Sequence, residues 1–206
     1  MPTIRSLIFD IGNVLLPFDF GRALTRVGAQ SAGLMGSDLP QEFMEIKDRY
    51  ETGRMERAEF LKRSMAAMGY RGTEAEFSAA WTEIFDENTA MTRLVRSLHG
   101  RYPLYLLSNT SDIHIEYVTA TYPVFQYFSD AVYSHVAGCI KPGSQIFEIA
   151  IRQLSVNPSE TVFIDDLEDN VLTARSLGFH AFQYDYKAHH KLLEQLAEWG
   201  VDGVTE

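Results

Sequence analysis

Asp10 closes the apolar run Ile4-Arg5-Ser6-Leu7-Ile8-Phe9 and opens the loop Ile11-Gly12-Asn13-Val14. Far downstream a second apolar run, Thr161-Val162-Phe163-Ile164, ends in Asp165-Asp166. Each run has the length of a buried strand, and each delivers carboxylates to the loop that follows it. In an open α/β sheet, ligands bind beyond the carboxyl ends of the strands. If these two strands are neighbours, three carboxylates converge on one crevice. Like charges that close repel strongly in a partly dry site. A hard divalent cation with oxygen ligands relieves that repulsion, and Mg²⁺ is the common choice.

Two further segments end strands or follow them on the same side. Ser108-Asn109-Thr110 comes after Leu106-Leu107, and Lys141-Pro142 opens the helix that contains Phe147. Taken singly, each has a plainer reading. An Asp after a strand is often a helix N-cap, Ser-Asn-Thr is often a turn, and Lys-Pro is often a helix start. Their order and shared position make the set specific.

The elements that must position these residues follow from periodicity. Residues 4–10 read as a strand. Residues 20–87 read as helices, with breaks at Gly33, Gly36, Pro40, Gly53 and Gly69-Tyr70-Arg71-Gly72. Phe43, Ile46, Lys47 and Tyr50 lie at helical spacing, as do Met55 to Leu61 and Phe77 to Trp81. From residue 89 onward helix and strand alternate. Strands are expected at 104–107, 131–133, 161–165 and 181–184, with helices at 91–98, after Ser111, at 146–154, 171–177 and 188–199. That alternation implies a doubly wound α/β fold, a parallel sheet covered by helices on both faces. The helical block, set just past the first strand, is well placed to act as a lid that excludes water and sets specificity.

The chain has 206 residues, 46% of them hydrophobic, enough for a packed core. Its net charge of −10 disfavours nucleic acid or an anionic membrane as a partner. A single cysteine, Cys139, allows no internal disulfide and suggests a reducing compartment. The first residues lack a signal-peptide core, and no apolar stretch has the length of a membrane span. A cytoplasmic protein is expected.

The motifs Phe9-Asp10-Ile11-Gly12-Asn13-Val14, Leu107-Ser108-Asn109-Thr110, Lys141-Pro142 and Ile164-Asp165-Asp166 resemble, in order, those of the haloacid dehalogenase-like hydrolases. The resemblance spans the chain and is closest to the sugar-phosphatase-like branch that includes α-glucose-1-phosphate phosphatases. It implies a Rossmann-like core over residues 1–16 and 89–206, with a helical cap over 17–88. It also implies Mg²⁺-dependent hydrolysis of a small phosphate ester, such as a sugar phosphate, through an aspartyl-phosphate. Asp10 would be the nucleophile. Ser108, the amide of Asn109 and Lys141 would bind the phosphoryl group. Asp10, Asp166 and the carbonyl of Gly12 would hold the metal, with Asp165 supporting it directly or through water.

One position departs from the family pattern. Most of its phosphatases carry an Asp two residues after the nucleophile as general acid and base, and here that residue is Gly12. Positioned acid–base help contributes about 10²–10⁴ in rate. Asp19 and His114 are candidate replacements. A metal-free haloacid dehalogenase also lacks the second Asp, but it has no need of Asp165-Asp166. A feebly active ligand-binding protein is the third reading. Of the remaining features, His189-His190 point apart on a helix and suit a solvated surface rather than a metal. Cys139 reads as a small structural residue. Asn109-Thr110-Ser111 matches a glycosylation sequon inside the expected phosphate loop. The acidic run 165–170 lacks the glycine of a calcium loop. Phe43, Trp81 and Phe85 read as core before substrate wall.

Overall fold

The computed structural model describes residues 3–31 and 39–204. Gly33 and Gly36, the first two expected breaks, lie outside that range. Five parallel strands form one sheet: β1 (Ser6–Phe9), β2 (Leu104–Ser108), β3 (Asp130–Tyr133), β4 (Thr161–Asp165) and β5 (His180–Gln183). Their order is β3-β2-β1-β4-β5. The chain moves outward from β1 on one side and then crosses to the other, so the strand order reverses between β1 and β4. That reversal opens the crevice in which such sheets bind ligands.

Period-2 alternation, with both faces covered, explains why Leu7, Ile8 and Phe9 of β1 are all hydrophobic. Leu7 and Phe9 face one layer, packing with Leu104, Leu106, Val162 and Ile164 against helices α5 (Thr89–Leu98) and α10 (His189–Glu198). Ile8 faces the other layer with Leu107, Phe163 and Ala181, under α8 (Ser144–Gln153) and α9 (Glu168–Ser176). All of these strand residues are essentially inaccessible to water. Each fully buried large apolar side chain contributes roughly 1.5–3 kcal/mol.

Between β1 and α5 run α1 (Phe20–Gly28), α2 (Gln41–Glu51), α3 (Arg57–Ala67) and α4 (Glu74–Thr82). Local signals set their ends. Asp19 caps α1, and Thr73 with Glu76 closes a reciprocal capping box on α4. These helices build a second apolar cluster from Ala23, Val27, Phe43, Ile46, Phe60, Phe77, Trp81 and Ile84. Phe43 and Trp81 are therefore core.

This helical layer is seated on the sheet layer through polar contacts. Tyr50 and Arg57 bond to Asp112 on α6 (Asp112–Thr121), and Arg57 also reaches Glu116. Gly53 follows α2 at φ +67°. A β-carbon there would lie 2.1 Å from the carbonyl oxygen of His135, so only glycine permits the approach. The strands and helices fall within a few residues of the periodicity reading. The first strand stops at Phe9 instead of running through Asp10.

Candidate active site

Register decides the geometry. Phe9 is level with Leu106 on β2 and with Ile164 on β4. The residues that follow therefore emerge at one edge of the sheet. The amide of Asp10 donates to Ile164 O at 2.9 Å, its last tie to the ladder. Carboxylate oxygens of Asp10, Asp165 and Asp166 lie within 4.8 Å of one another.

Lys141 neutralises part of this charge. Its Nζ meets Asp165 Oδ2 at 2.6 Å, Leu107 O at 2.9 Å and Asp10 Oδ1 at 3.0 Å. Two of these contacts are hydrogen bonds, and the third, to Asp10, is an ion pair. Burial opposes its charge, but Asp10 and Asp165 prevail and hold its pKa above the ordinary lysine range. For Asp10, burial outweighs the attraction of Lys141, and its pKa is pushed up to about 6. Burial likewise raises Asp166, with Asn13 pulling the other way. Three carboxylates against one ammonium leave a formal excess of two negative charges.

The donor set fits a small dication. Asp10 Oδ1 is buried, and no hydrogen-bond donor is aligned on it among the described residues, although the Lys141 charge is adjacent. Among the described residues Asp166 is held through one oxygen, Oδ2, which accepts from Asn13 Nδ2 at 3.0 Å. Asp165 differs. Its Oδ1 accepts from the amide of Leu167 and from Asn170 Nδ2, and its Oδ2 from Lys141. It is fully buried and anchors Lys141 from behind.

Ser108 ends β2, buried beside Asp10, and its hydroxyl favours the charged carboxylate. The Asn109 side chain has a scaffolding task. Its Nδ2 donates to Lys141 O, and its Oδ1 accepts from Lys141 N, both at 2.8 Å. Asn109 thus fixes the lysine segment and also borders the cavity. That cavity, of about 300 Å³, is lined by Asp10, Ser108, Lys141 and Asp166 on the sheet side and by Phe18, Phe20 and Phe85 above.

Gly12 and its two candidate substitutes can now be placed. A β-carbon at Gly12 would sit 2.9 Å from Phe18 Cε1, so an aspartate there requires the ring to move. Asp19 is exposed, its carboxylate engaged by Gly21 N as the cap of α1, and it does not line the cavity. His114 lines the cavity, but its Nε2 faces Trp81 O at 3.1 Å, so its proton is committed to that carbonyl. Burial pushes its pKa down to about 4. Neither residue fits the role of leaving-group acid.

His114 has a separate consequence for stability. A histidine of ordinary pKa 6.5 in the unfolded chain and about 4 in the fold stays neutral when native. Its contribution is complete above pH 6.5 and is lost as pH falls towards 4, because the unfolded chain then binds the extra proton. The loss is about 3 kcal/mol. Urea melts at pH 7 and pH 4.5 should show His114→Gln losing less stability on acidification than wild type. Equal losses would contradict this.

Sequence reasoning passed over several site residues. Asn13, at φ +52°, and Asn170 orient the two β4 carboxylates, and both stand inside recognisable motifs. Lys47 and Glu51 line the same cavity from α2. Their spacing of four was visible, but nothing in it pointed at the sheet edge. His189 turns inward to Tyr184 and His190 outward, so the pair shares no ligand. Cys139 is part-buried, and burial raises its thiol pKa.

A family model for haloacid dehalogenase-like hydrolases matches residues 4–178, most of the chain and both halves of the site. The chain is a haloacid dehalogenase-like hydrolase. A D-ribitol-5-phosphate phosphatase from Bacteroides thetaiotaomicron is 29% identical over 192 residues, covering 87% of this chain and 91% of that protein. A sesquiterpene phosphatase from Aspergillus oryzae is 24% identical, covering 85% and 87%. A family enzyme from B. thetaiotaomicron, solved in complex with magnesium and inorganic phosphate, superposes with a TM-score of 0.75 at 28% identity, covering 89% of this chain and 95% of that one. Among the described residues of this hydrolase no helix is long and apolar enough to cross a membrane.

Proposed function

We propose that this hydrolase is a Mg²⁺-dependent phosphatase acting on a small phosphorylated metabolite of the sugar-phosphate kind, through an aspartyl-phosphate on Asp10. The observation that carries the reading is the three-carboxylate cluster with Lys141 at its back and a buried Asp10 oxygen on which, among the described residues, no hydrogen bond is aligned. Two relatives named as phosphatases, and a family enzyme solved with magnesium and inorganic phosphate, support it. Asp10, Asp166 and the carbonyl of Gly12 would hold the ion, with Asp165 acting through Lys141. The ion, when bound, supplies charge neutralisation on the phosphoryl oxygens and the nucleophile.

The chain's own groups do the rest. Asp10 attacks phosphorus, and the alcohol leaves with the bonding pair. Lys141 holds Asp10 in place and draws charge from the transferring group, while Ser108 and the amide of Asn109 donate to its oxygens. Water then attacks phosphorus, releases inorganic phosphate and restores the carboxylate. With Gly12 in place of an acid, the leaving oxygen takes its proton from solvent. The helices over 17–88 serve as the cap that covers the site. The single cysteine fits a reducing compartment, and we place the enzyme in the cytoplasm.

The test is phosphate release from a panel of sugar and polyol phosphates, with Mg²⁺ and then with excess EDTA. Activity should fall to background on chelation and return with added Mg²⁺. Phosphate release indifferent to EDTA rejects the metal role. Metal-free halide release from a 2-haloacid, without phosphatase activity, favours the dehalogenase instead.

A further inference from the structure

Phe18, Phe20 and Phe85 give the cavity an aromatic wall. Set into that wall is an ion pair. Lys47 Nζ meets Glu51 Oε2 at 2.6 Å, the two residues one helical turn apart on α2. Their side chains are only 22% and 19% exposed. Placing such a pair against aromatic rings costs desolvation that a surface pair avoids. Burial raises the Glu51 carboxyl, with Lys47 opposing the rise.

Each partner also has capacity to spare. Among the described residues, Glu51 Oε2 is the only hydrogen-bond acceptor on Lys47 Nζ, so two of its N–H groups are free. Among the described residues Glu51 Oε1 has no hydrogen-bond donor. The end of α2 that carries Glu51 is anchored, because Ser134 Oγ donates to the Glu51 carbonyl at 2.6 Å and Gly53 brings the helix end against His135. Both residues line the cavity that holds Asp10, with two donors and one acceptor to spare between them.

We propose that Lys47 and Glu51 are the specificity contact for the leaving group, and that the group they take is a polyhydroxylated carbon chain. This rests on the phosphatase reading above. Hydroxyls both donate and accept, so adjacent ones satisfy an ammonium and a carboxylate at once. The aromatic rings beside the pair offer apolar surface to the C–H faces of the same chain. A hydrocarbon ester would cover the ion pair and return no hydrogen bond, which is costly. The sesquiterpene ester named for one relative is disfavoured here on that ground.

The experiment compares kcat/KM for ribitol 5-phosphate and for phenyl phosphate, both with Mg²⁺, in wild type, Lys47→Met, Lys47→Arg and the charge-free double variant Lys47→Met/Glu51→Leu. Thermal melts establish that each is folded. A site built to hydrogen-bond hydroxyls loses selectivity steeply when those bonds go. The ratio of polyol to phenyl ester should fall about tenfold to a hundredfold in Lys47→Met and in the double variant. Lys47→Arg, which keeps donors, should retain more of it. A ratio unchanged in folded Lys47→Met and in the folded double variant overturns the specificity role while leaving the phosphatase reading intact. Absence of phosphate release from both esters by wild type overturns both.

Discussion

Asp10→Asn should remove turnover by at least about 10⁴-fold while the fold persists, because it takes away the proposed nucleophile with almost no change of shape. Asp10 stands beyond the last ladder residue of β1, so its side chain belongs to the cavity and its backbone to the sheet. Burial and Asp165 both work against its charge, with Lys141 opposing them. A neutral amide relieves that strain, so the metal-free variant should melt no lower than wild type at pH 7. The sign follows from Asp10 itself. A carboxyl raised to about 6 from 3.8 contributes most below pH 3.8 and loses that contribution as pH rises through 6. Phosphate-release kinetics and a thermal melt on the same preparation check both halves. Substantial turnover in Asp10→Asn would dismiss it as nucleophile.

Lys141→Met should strike both stability and rate. The ammonium donates to Leu107 O and Asp165 and pairs with Asp10, and its side chain is almost wholly buried. Without it, two carboxylates face each other in a dry pocket. Breaking a buried ion pair from one side costs about 3–5 kcal/mol. The stability deficit should shrink on acidification, because protonating Asp10 removes the repulsion. Loss of positioned charge at the reacting group should lower kcat by about 10²–10³-fold. Urea melts at two pH values and kinetics at saturating Mg²⁺ measure these effects. A variant as stable as wild type at pH 7 would contradict the role given to Lys141.

Much of this was legible before any coordinates. Strands with uninterrupted apolar runs, such as Val162-Phe163-Ile164, announce a sheet covered on both faces, and the positions of Asp10 and Asp165-Asp166 at their ends survive small errors in strand boundaries. Order along the chain carried the site, because the strand reversal between β1 and β4 brings those ends together whatever the side-chain detail. What stayed hidden depends on distances that pattern does not encode. Asp165 and Asp166 are adjacent and alike, yet one is locked by three protein donors and the other by one. His114 looked like a replacement acid until the carbonyl of Trp81 claimed its proton. Lys47 and Glu51 showed helical spacing, but the seat of α2 against Ser134 and His135 is what aims them at the cavity. The absence of a side chain at Gly12 finds its physical counterpart in Phe18, whose ring fills that space.

Phosphoryl transfer to the first-strand carboxylate can be tested by trapping it. The enzyme, mixed with Mg²⁺ and a radiolabelled sugar or polyol phosphate that it hydrolyses, is quenched in acid within a turnover and digested. Label on the peptide containing Asp10, absent after chelation, is the expected result. Steady release of phosphate with the label on another residue, or with none on the protein at any quench time, would contradict it.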